Sequence, residues 1–417
     1  MAGWSEKVLD IDLNTQTYKT YPLDMEIARL FVGGRGLGAR LLWDMVGPDV
    51  DPLSPENVLI FTSGPLTGTG YQTSNRFSVT TKSPLTGTIL DANSGGFWGM
   101  QFKKAGYDVM IVRGKAEKPV WIEIRNSEII FHDASELWGM HVFALTEKLG
   151  QSNNRRNVLC IGPAGEHLSR IASIMNDRER ALARGGPGAV MGSKNLKAIV
   201  VEGKVRPEIN DADQFKFMLY ETRKLLAASP LTSQALPEFG TVVLMNIMNN
   251  IGALATRNHQ QTQFEGADAI SGEELTEKYL VKNASCWACP IGCTRVSNTG
   301  KGEGEGPEFE TTWAFGAQCG IDDLPAIIAA NTLCNDLGLD TISVGSTIAC
   351  AMELSEKGYM ASDLRFGRAD QLAPVIEAMA YRKDLGADLT DGSFRLATKY
   401  GHPELSMSAK GMEMPAY

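Results

Sequence analysis

Apolar and polar positions change rhythm about halfway along the chain. Through the first two hundred residues the apolar positions recur every second residue in short runs. Lys7–Leu13 alternates, breaks at Asn14-Thr15-Gln16 and returns through Thr17–Tyr21, which predicts a hairpin. Val58–Phe61, Phe77–Thr81, Val109–Val112, Val120–Ile124, Glu128–Phe131, Val158–Ile161 and Ala198–Val201 predict further strands. Strands this closely spaced, without a helix between each pair, predict an α+β layer and not a doubly wound parallel sheet. Near Val205-Arg206-Pro207-Glu208-Ile209-Asn210-Asp211 the chain becomes polar and carries a proline, as linkers do. Asp211 is placed to cap a helix over Ala212–Ala228. Helical periodicity then continues through Gly272–Leu280, Leu324–Leu337, Thr341–Lys357 and Leu372–Arg382. The expected architecture is a β-rich N-terminal domain, residues 1–208, and a mainly α-helical domain, residues 209–417.

Composition narrows the class. With 417 residues, 43% hydrophobic and 21% charged, the chain can bury a large core without disulfide staples. A net charge of -9 argues against a nucleic-acid binder, which presents a basic face. No apolar run approaches membrane-spanning length, and Met1–Lys7 lacks the pattern of a signal peptide. The seven cysteines are an odd number, with three crowded at Cys286, Cys289 and Cys293, a poor disulfide framework. The expected compartment is the cytoplasm. Cys160, Cys319, Cys334 and Cys350 stand in apolar surroundings and read as buried thiols.

The chemistry is concentrated in a few segments. Cys286-Trp287-Ala288-Cys289-Pro290-Ile291-Gly292-Cys293 is a C-x2-C-x3-C run. Thiolates at this spacing on a tight loop can ligate an iron–sulfur cube, with a fourth ligand from elsewhere. Zinc is the rival, but a closed zinc site wants four ligands and usually a second C-x2-C hook, which the sequence lacks. Asn93-Ser94-Gly95-Gly96 follows a strand-like Thr88–Asp91 and precedes an amphipathic Phe97–Ala105, so its free amides suit a phosphate. Arg180-Ala181-Leu182-Ala183-Arg184-Gly185-Gly186 offers two guanidinium groups around a second glycine-rich loop. Either segment alone also reads as an ordinary turn with surface arginines. Gly192-Ser193-Lys194-Asn195 departs from a Walker A loop. Gly33–Gly38 imitates a dinucleotide fingerprint, but what precedes it looks helical, so packing is the better reading.

Gly306-Pro307-Glu308-Phe309-Glu310-Thr311-Thr312-Trp313 sets two carboxylates beside aromatics. A glutamate among apolar neighbours can serve as an acid or base, and Glu310 fits this better than Glu308. In Asn335-Asp336-Leu337-Gly338-Leu339-Asp340-Thr341, Gly338 is a natural helix stop and Asp340 a natural N-cap. Lys301–Gly306 reads as a loop.

Taken in order, these segments resemble the aldehyde:ferredoxin oxidoreductase family of tungsten enzymes. The resemblance runs from the N-terminal strand pair through Gly33–Gly38, Ser74-Asn75-Arg76-Phe77, Asn93–Gly99, Gly188–Ala198, the thiol loop, Gly306–Glu310 and Leu337–Thr341. It implies a β-rich base under two pterins whose dithiolenes hold tungsten (molybdenum being the alternative metal), followed by helical domains. Arg76, Asn93, Gly95, Arg180, Ala181, Ala183 and Arg184 would then lie against the pterin phosphates and a bridging Mg2+. Asn335, Leu339 and Asp340 would hold a pterin ring. Cys286, Cys289 and Cys293 would ligate a [4Fe–4S] cluster, and Glu310 would be the catalytic carboxylate. Asn335 stands where the family usually has Asp, and Ala183 where Gly is familiar. The implied reaction is oxidation of aldehydes to carboxylic acids, with electrons passing through the cluster to ferredoxin. A homodimer or additional electron-transfer subunits are implied as partners. The alternatives are the tungsten subunit of an aryl-CoA reductase, a multi-subunit aldehyde oxidase, or an inactive fragment. Family members continue past the position of Tyr417 into a third domain, which brings the fourth cysteine and an active-site histidine.

Overall fold

Two six-stranded mixed sheets form the N-terminal half of the computed structural model, which describes residues 2–150, 157–299 and 302–416. The first sheet comprises β1 (Lys7–Asp12), β2 (Thr17–Pro22), β3 (Leu59–Thr62), β4 (Phe77–Lys82), β5 (Ile89–Ser94) and β6 (Val109–Arg113) in the order β2-β1-β6-β3-β4-β5. The second comprises β7 (Val120–Arg125), β8 (Glu128–Asp133), β9 (Asn157–Cys160), β10 (Ile174–Asn176), β11 (Arg180–Leu182) and β12 (Leu196–Glu202) in the order β11-β10-β9-β12-β7-β8. Each sheet holds one parallel pair, β1 with β6 and β12 with β7, among antiparallel neighbours. This is the α+β arrangement that the close strand spacing predicts.

The chain divides into two units. Unit 1 is Met1–Leu225 with Cys286–Pro290 and Asp336–Gly338, and unit 2 is Leu226–Ser285, Ile291–Asn335 and the chain from Leu339 onward. In unit 1 the two sheets share one apolar core, with Leu9, Phe61 and Val112 from the first and Ile122, Leu159 and Ile199 from the second. Trp98 lies fully buried there, 4.8 Å from the Phe77 ring and stacked on Phe102 at 5.0 Å. Its indole N–H donates to Ile199 O, so its one polar atom is satisfied inside the core. Each such aromatic adds about 1.5–3 kcal/mol of burial free energy. The outer face of the first sheet packs against helices Met25–Phe31 and Gly34–Met45. The outer face of the second packs against helix Val142–Leu149. Gly33–Gly38 therefore opens a packing helix: a Cβ at Gly38 would meet Thr80 Oγ1 at 2.2 Å.

Lysines in the 188–198 segment are structural. Lys194 is fully buried and donates to Asn57 O (2.6 Å) and Gly114 O (3.1 Å). Lys197 donates to Met140 O (2.9 Å) and Ile161 O (2.8 Å) and pairs with Glu166. Buried ammonium groups need this full set of acceptors. They tie separate loops of unit 1 together, so neither is available to a nucleotide phosphate.

Unit 2 is built on helix Thr341–Glu356, buried continuously from Ser343 to Ser355, with helices Phe309–Phe315 and Ser393–Lys399 against it. It also holds a small antiparallel sheet of β13 (Leu280–Ala284), β14 (Thr294–Asn298) and β15 (Glu303–Glu305). The thiol loop connects β13 to β14. Two local expectations change here. The sequence predicts a loop over Lys301–Gly306, but Glu303–Glu305 pairs with β14, with Val296 opposite Glu305; Lys301 lies outside the described residues. Arg180–Leu182, expected in a loop, forms the edge strand β11 on β10. In both cases cross-strand pairing decides the backbone, and three residues are too few to show a period. Asp211 caps the helix Ala212–Ala228 through the amides of Asp213 (3.1 Å) and Gln214 (2.8 Å). No helix among the described residues is long and apolar enough to cross a membrane.

Candidate functional site

The β4–β5 ladder sets Phe77 opposite Ser94 and Ser78 opposite Asn93, so Arg76 and Gly95 emerge side by side at its end. Asn93 is held by its own strand pair: its Oδ1 accepts from Ser78 Oγ (2.7 Å) and its Nδ2 donates to Asp91 (2.8 Å). At the same edge Asn176 of β10 donates to Ser94 Oγ (3.0 Å) and to Gly95 O (2.9 Å). That asparagine joins the end of the first sheet to the edge of the second. It brings Arg180, on β11, against the glycine turn: a Cβ on Gly96 would lie 2.9 Å from Arg180 Cδ. Ala181 pairs with Met175 on β10, Ala183 O accepts from Ser173 Oγ, and Arg184 follows, partly exposed. Ser83 Oγ donates to Gly185 O (2.7 Å), fixing the turn beyond. Arg76, Asn93, Gly95, Arg180 and Ala181 thus lie toward one end of the β4–β5 ladder, whereas Ala183 and Arg184 lead toward its other end, where Gly185 meets Ser83 and Leu90.

The first part of the thiol loop reaches the same edge. Arg180 Nη1 donates to Cys286 Sγ at 3.2 Å, and Trp287 N donates to Gly96 O at 3.2 Å. A Cβ at Gly95 would stand 2.5 Å from Cys286 Sγ, a distance no real side chain tolerates. Gly95 is therefore required by the approach of the sulfur. Within the loop, Cys289 N donates to Cys286 O (3.1 Å), and Ala288 (φ 57°) and Gly292 (φ 67°) take left-handed conformations. Such turns let amide and thiol groups point inward along a short loop.

All seven cysteines are unbridged, and exposure sorts them. Cys286, Cys289 and Cys293 are partly exposed, while Cys160, Cys319, Cys334 and Cys350 are buried. Burial pushes the thiols of Cys160 and Cys350 up to about 12, and those of Cys319 and Cys334 upward as well. These four are neutral and inert at physiological pH. Among the described residues no three His, Cys, Asp or Glu side chains converge on one ion's coordination sphere, the arrangement a structural zinc needs. Ligands of an iron–sulfur cube bind separate irons and do not converge in that way.

In unit 2, Asn335 and Leu339 are buried at the end of helix Leu324–Leu337, and Leu339 N donates to Cys334 O. Asp340 caps the next helix through Ile342 N (3.2 Å) and Ser343 N (3.3 Å). The intervening Asp336–Gly338 belongs to unit 1. There Asp336 accepts from Phe143 N and pairs with His141, both at 2.9 Å, and Ser173 N donates to Gly338 O. Glu310 lies in the first turn of helix Phe309–Phe315, and both its oxygens accept from Ala416 N, at 3.2 and 3.0 Å. Glu308 is exposed and bonds to Thr241 Oγ1. Asn176, Asp336 and Arg295 are the residues that sequence patterns do not reveal. Only Arg295, two places after Cys293, stands close enough to a motif to draw attention.

The aldehyde ferredoxin oxidoreductase N-terminal domain matches residues 8–203, and domains 2 and 3 of the same family match residues 218–417. The chain belongs to the aldehyde ferredoxin oxidoreductase family. It is 48% identical to a tungsten-containing aldehyde ferredoxin oxidoreductase of Thermococcus kodakarensis, over 100% of this chain and 71% of that protein. The same-named protein of Pyrococcus furiosus is also 48% identical, with the same coverage. Among solved structures, the active site complex BamBC of benzoyl coenzyme A reductase, in complex with 1,5-dienoyl-CoA, matches with a TM-score of 0.88. It is 28% identical and covers 100% of this chain and 66% of that one.

For this family member the residues present fit the family's cofactors on structural grounds. A pterin phosphate needs cationic donors close to the backbone, and Arg76 and Arg180 flank the Gly95–Gly96 turn. Among the described residues the buried Oδ1 atoms of Asp91 and Asn176 have no hydrogen-bond partner, which leaves two acceptors for a donor or a cation.

The glycine approaches can be tested separately from any cofactor. A Cβ at Gly162 would lie 2.3 Å from Leu337 O, whereas one at Gly47 meets nothing within 4 Å. Gly162→Ala is expected to cost about 1–3 kcal/mol in chemical denaturation by displacing the Asp336–Gly338 segment. Gly47→Ala should change stability by only a few tenths. Equal midpoints for the two variants would show that the segment yields freely.

Proposed function

We propose that this chain forms the cofactor-binding part of a tungsten enzyme that oxidises aldehydes to carboxylic acids and delivers the electrons to ferredoxin. The observation that carries the reading is the convergence, in unit 1, of the phosphate-type edge and the thiol loop on Cys286 Sγ. When bound, the tungsten–pterin centre and the [4Fe–4S] cluster supply the redox chemistry, in which aldehyde and water give carboxylic acid, two protons and two electrons. The protein's own groups bind, orient and move protons. Arg76, Arg180 and Arg184 offer charge-assisted donors to pterin phosphates, with Asn93, Gly95, Ala181 and Ala183 shaping the backbone around them and a bridging Mg2+. Asn335, Leu339 and Asp340 line a pterin ring, Asp340 doing so while it caps its helix. Cys286, Cys289 and Cys293 are cluster ligands. Glu310 accepts a proton released as water adds to the aldehyde carbon. A cytoplasmic location belongs to the same reading, supported by the unbridged cysteines; so does assembly as a homodimer or with electron-transfer subunits.

The likeness to the benzoyl coenzyme A reductase complex favours a second reading, a tungsten subunit acting on an aryl-CoA. The higher identity to the aldehyde ferredoxin oxidoreductases ranks it second.

Full-length protein carrying this chain, isolated without oxygen, is expected to contain tungsten or molybdenum, pterin, iron and acid-labile sulfide. One equivalent of zinc with no sulfide would defeat the cluster assignment. In that protein Glu310→Gln keeps an acceptor for Ala416 N and loses the carboxylate, so turnover with a viologen acceptor should fall roughly 10²–10⁴-fold at unchanged metal content. Glu308→Gln should retain most activity. Matching losses in the two variants would remove Glu310 from the proton path.

A further inference from the structure

Arg295 is the feature of unit 2 that the functional reading leaves unused. It sits on β14 two residues after Cys293 and is 1% exposed. Its Nη1 donates to Pro237 O (2.8 Å) and Glu238 O (2.7 Å), and its Nη2 donates to Gly292 O (2.7 Å). Gly292 immediately precedes Cys293, so the guanidinium holds the end of the thiol loop to the 237–238 turn. Gly240 closes the other side: a Cβ there would lie 2.8 Å from Cys293 O and 3.1 Å from Arg295 Cγ.

Every one of these bonds is to a neutral backbone carbonyl, and Arg295 Nε is buried without a partner among the described residues. A buried cation is retained where a negative charge compensates it. An iron–sulfur cube with thiolate ligands is an anion, and each reduction makes it more negative.

We propose that Arg295 is the built-in counter-charge of the iron–sulfur cluster and the positioning residue for its Cys293 ligand. This rests on the cluster reading above. Its carbonyl bonds set the backbone from which the Cys293 thiolate projects. Its fixed positive charge favours the reduced cluster and so raises the reduction potential, a Coulomb effect that is strong where water is excluded. Arginine suits this role because it stays charged when buried and its planar fork serves three carbonyls at once.

The test uses the full-length protein isolated without oxygen, with iron and sulfide analysis and a potentiometric titration of the cluster's EPR signal. Arg295→Gln keeps polar contacts to the carbonyls and removes the charge; its midpoint should move to lower potential. Arg295→Lys keeps the charge, and its midpoint should stay near the parent's. Equal midpoints for parent and Arg295→Gln would overturn the proposal. If Arg295→Gln loses its iron, Arg295→Lys decides: retained iron at the parental midpoint supports the counter-charge, and loss of iron from both folded variants overturns it. A parent protein without iron and sulfide would instead sink the cluster reading itself.

Discussion

The contact of Cys286 Sγ with Arg180 Nη1 over the bare backbone of Gly95 is the constraint around which unit 1 is organised. A large polarisable sulfur and a guanidinium meet where the ends of two sheets come together, and the meeting is possible only because residue 95 has no side chain. Each partner is fixed by a different element. Gly95 follows the last residue of β5, Arg180 opens the edge strand β11, and Cys286 comes from a loop more than a hundred residues later in sequence. Asn176 locks the first two by donating to both Ser94 and Gly95. The double-sheet core with Trp98 at its centre provides the rigid base that such a junction needs. Under the proposed function this junction presents phosphate donors and a thiolate ligand together, a task for rigid elements and not for mobile loops.

Buried cations recur as the device that ties loops down. Lys103 pairs with Asp108, whose other contacts are the amides of Ser5 and Glu6; Lys194 and Lys197 gather carbonyls from distant turns. Arg295 uses the same chemistry in unit 2, donating to the carbonyls of Pro237, Glu238 and Gly292.

Much of this was legible in the sequence because it depends on local period and local caps. The alternation of Lys7–Leu13, the cap at Asp211 and the helix Ala212–Ala228 are set by neighbouring residues and are found as expected. The separation of three partly exposed cysteines from four buried ones also followed from their neighbours. What the sequence concealed depends on long-range pairing. β10, β11 and β15 are three residues each, too short to show a period, and become strands because a partner strand is waiting. Asp340 reads as a helix cap and is one, while the adjoining Asp336, unremarkable in sequence, reaches His141 and Phe143 nearly two hundred residues away. Nothing near Asn176 marks it as the bridge between sheets.

The central claim is that Arg180 serves the pterin side and the thiol side of the site at once. The direct measurement is the pterin and iron content of full-length Arg180→Met protein, purified without oxygen beside its parent and checked for an intact fold. The account predicts that both cofactors are depleted together, because one guanidinium is lost from both. Normal content of both, or loss of one with full retention of the other, would contradict it.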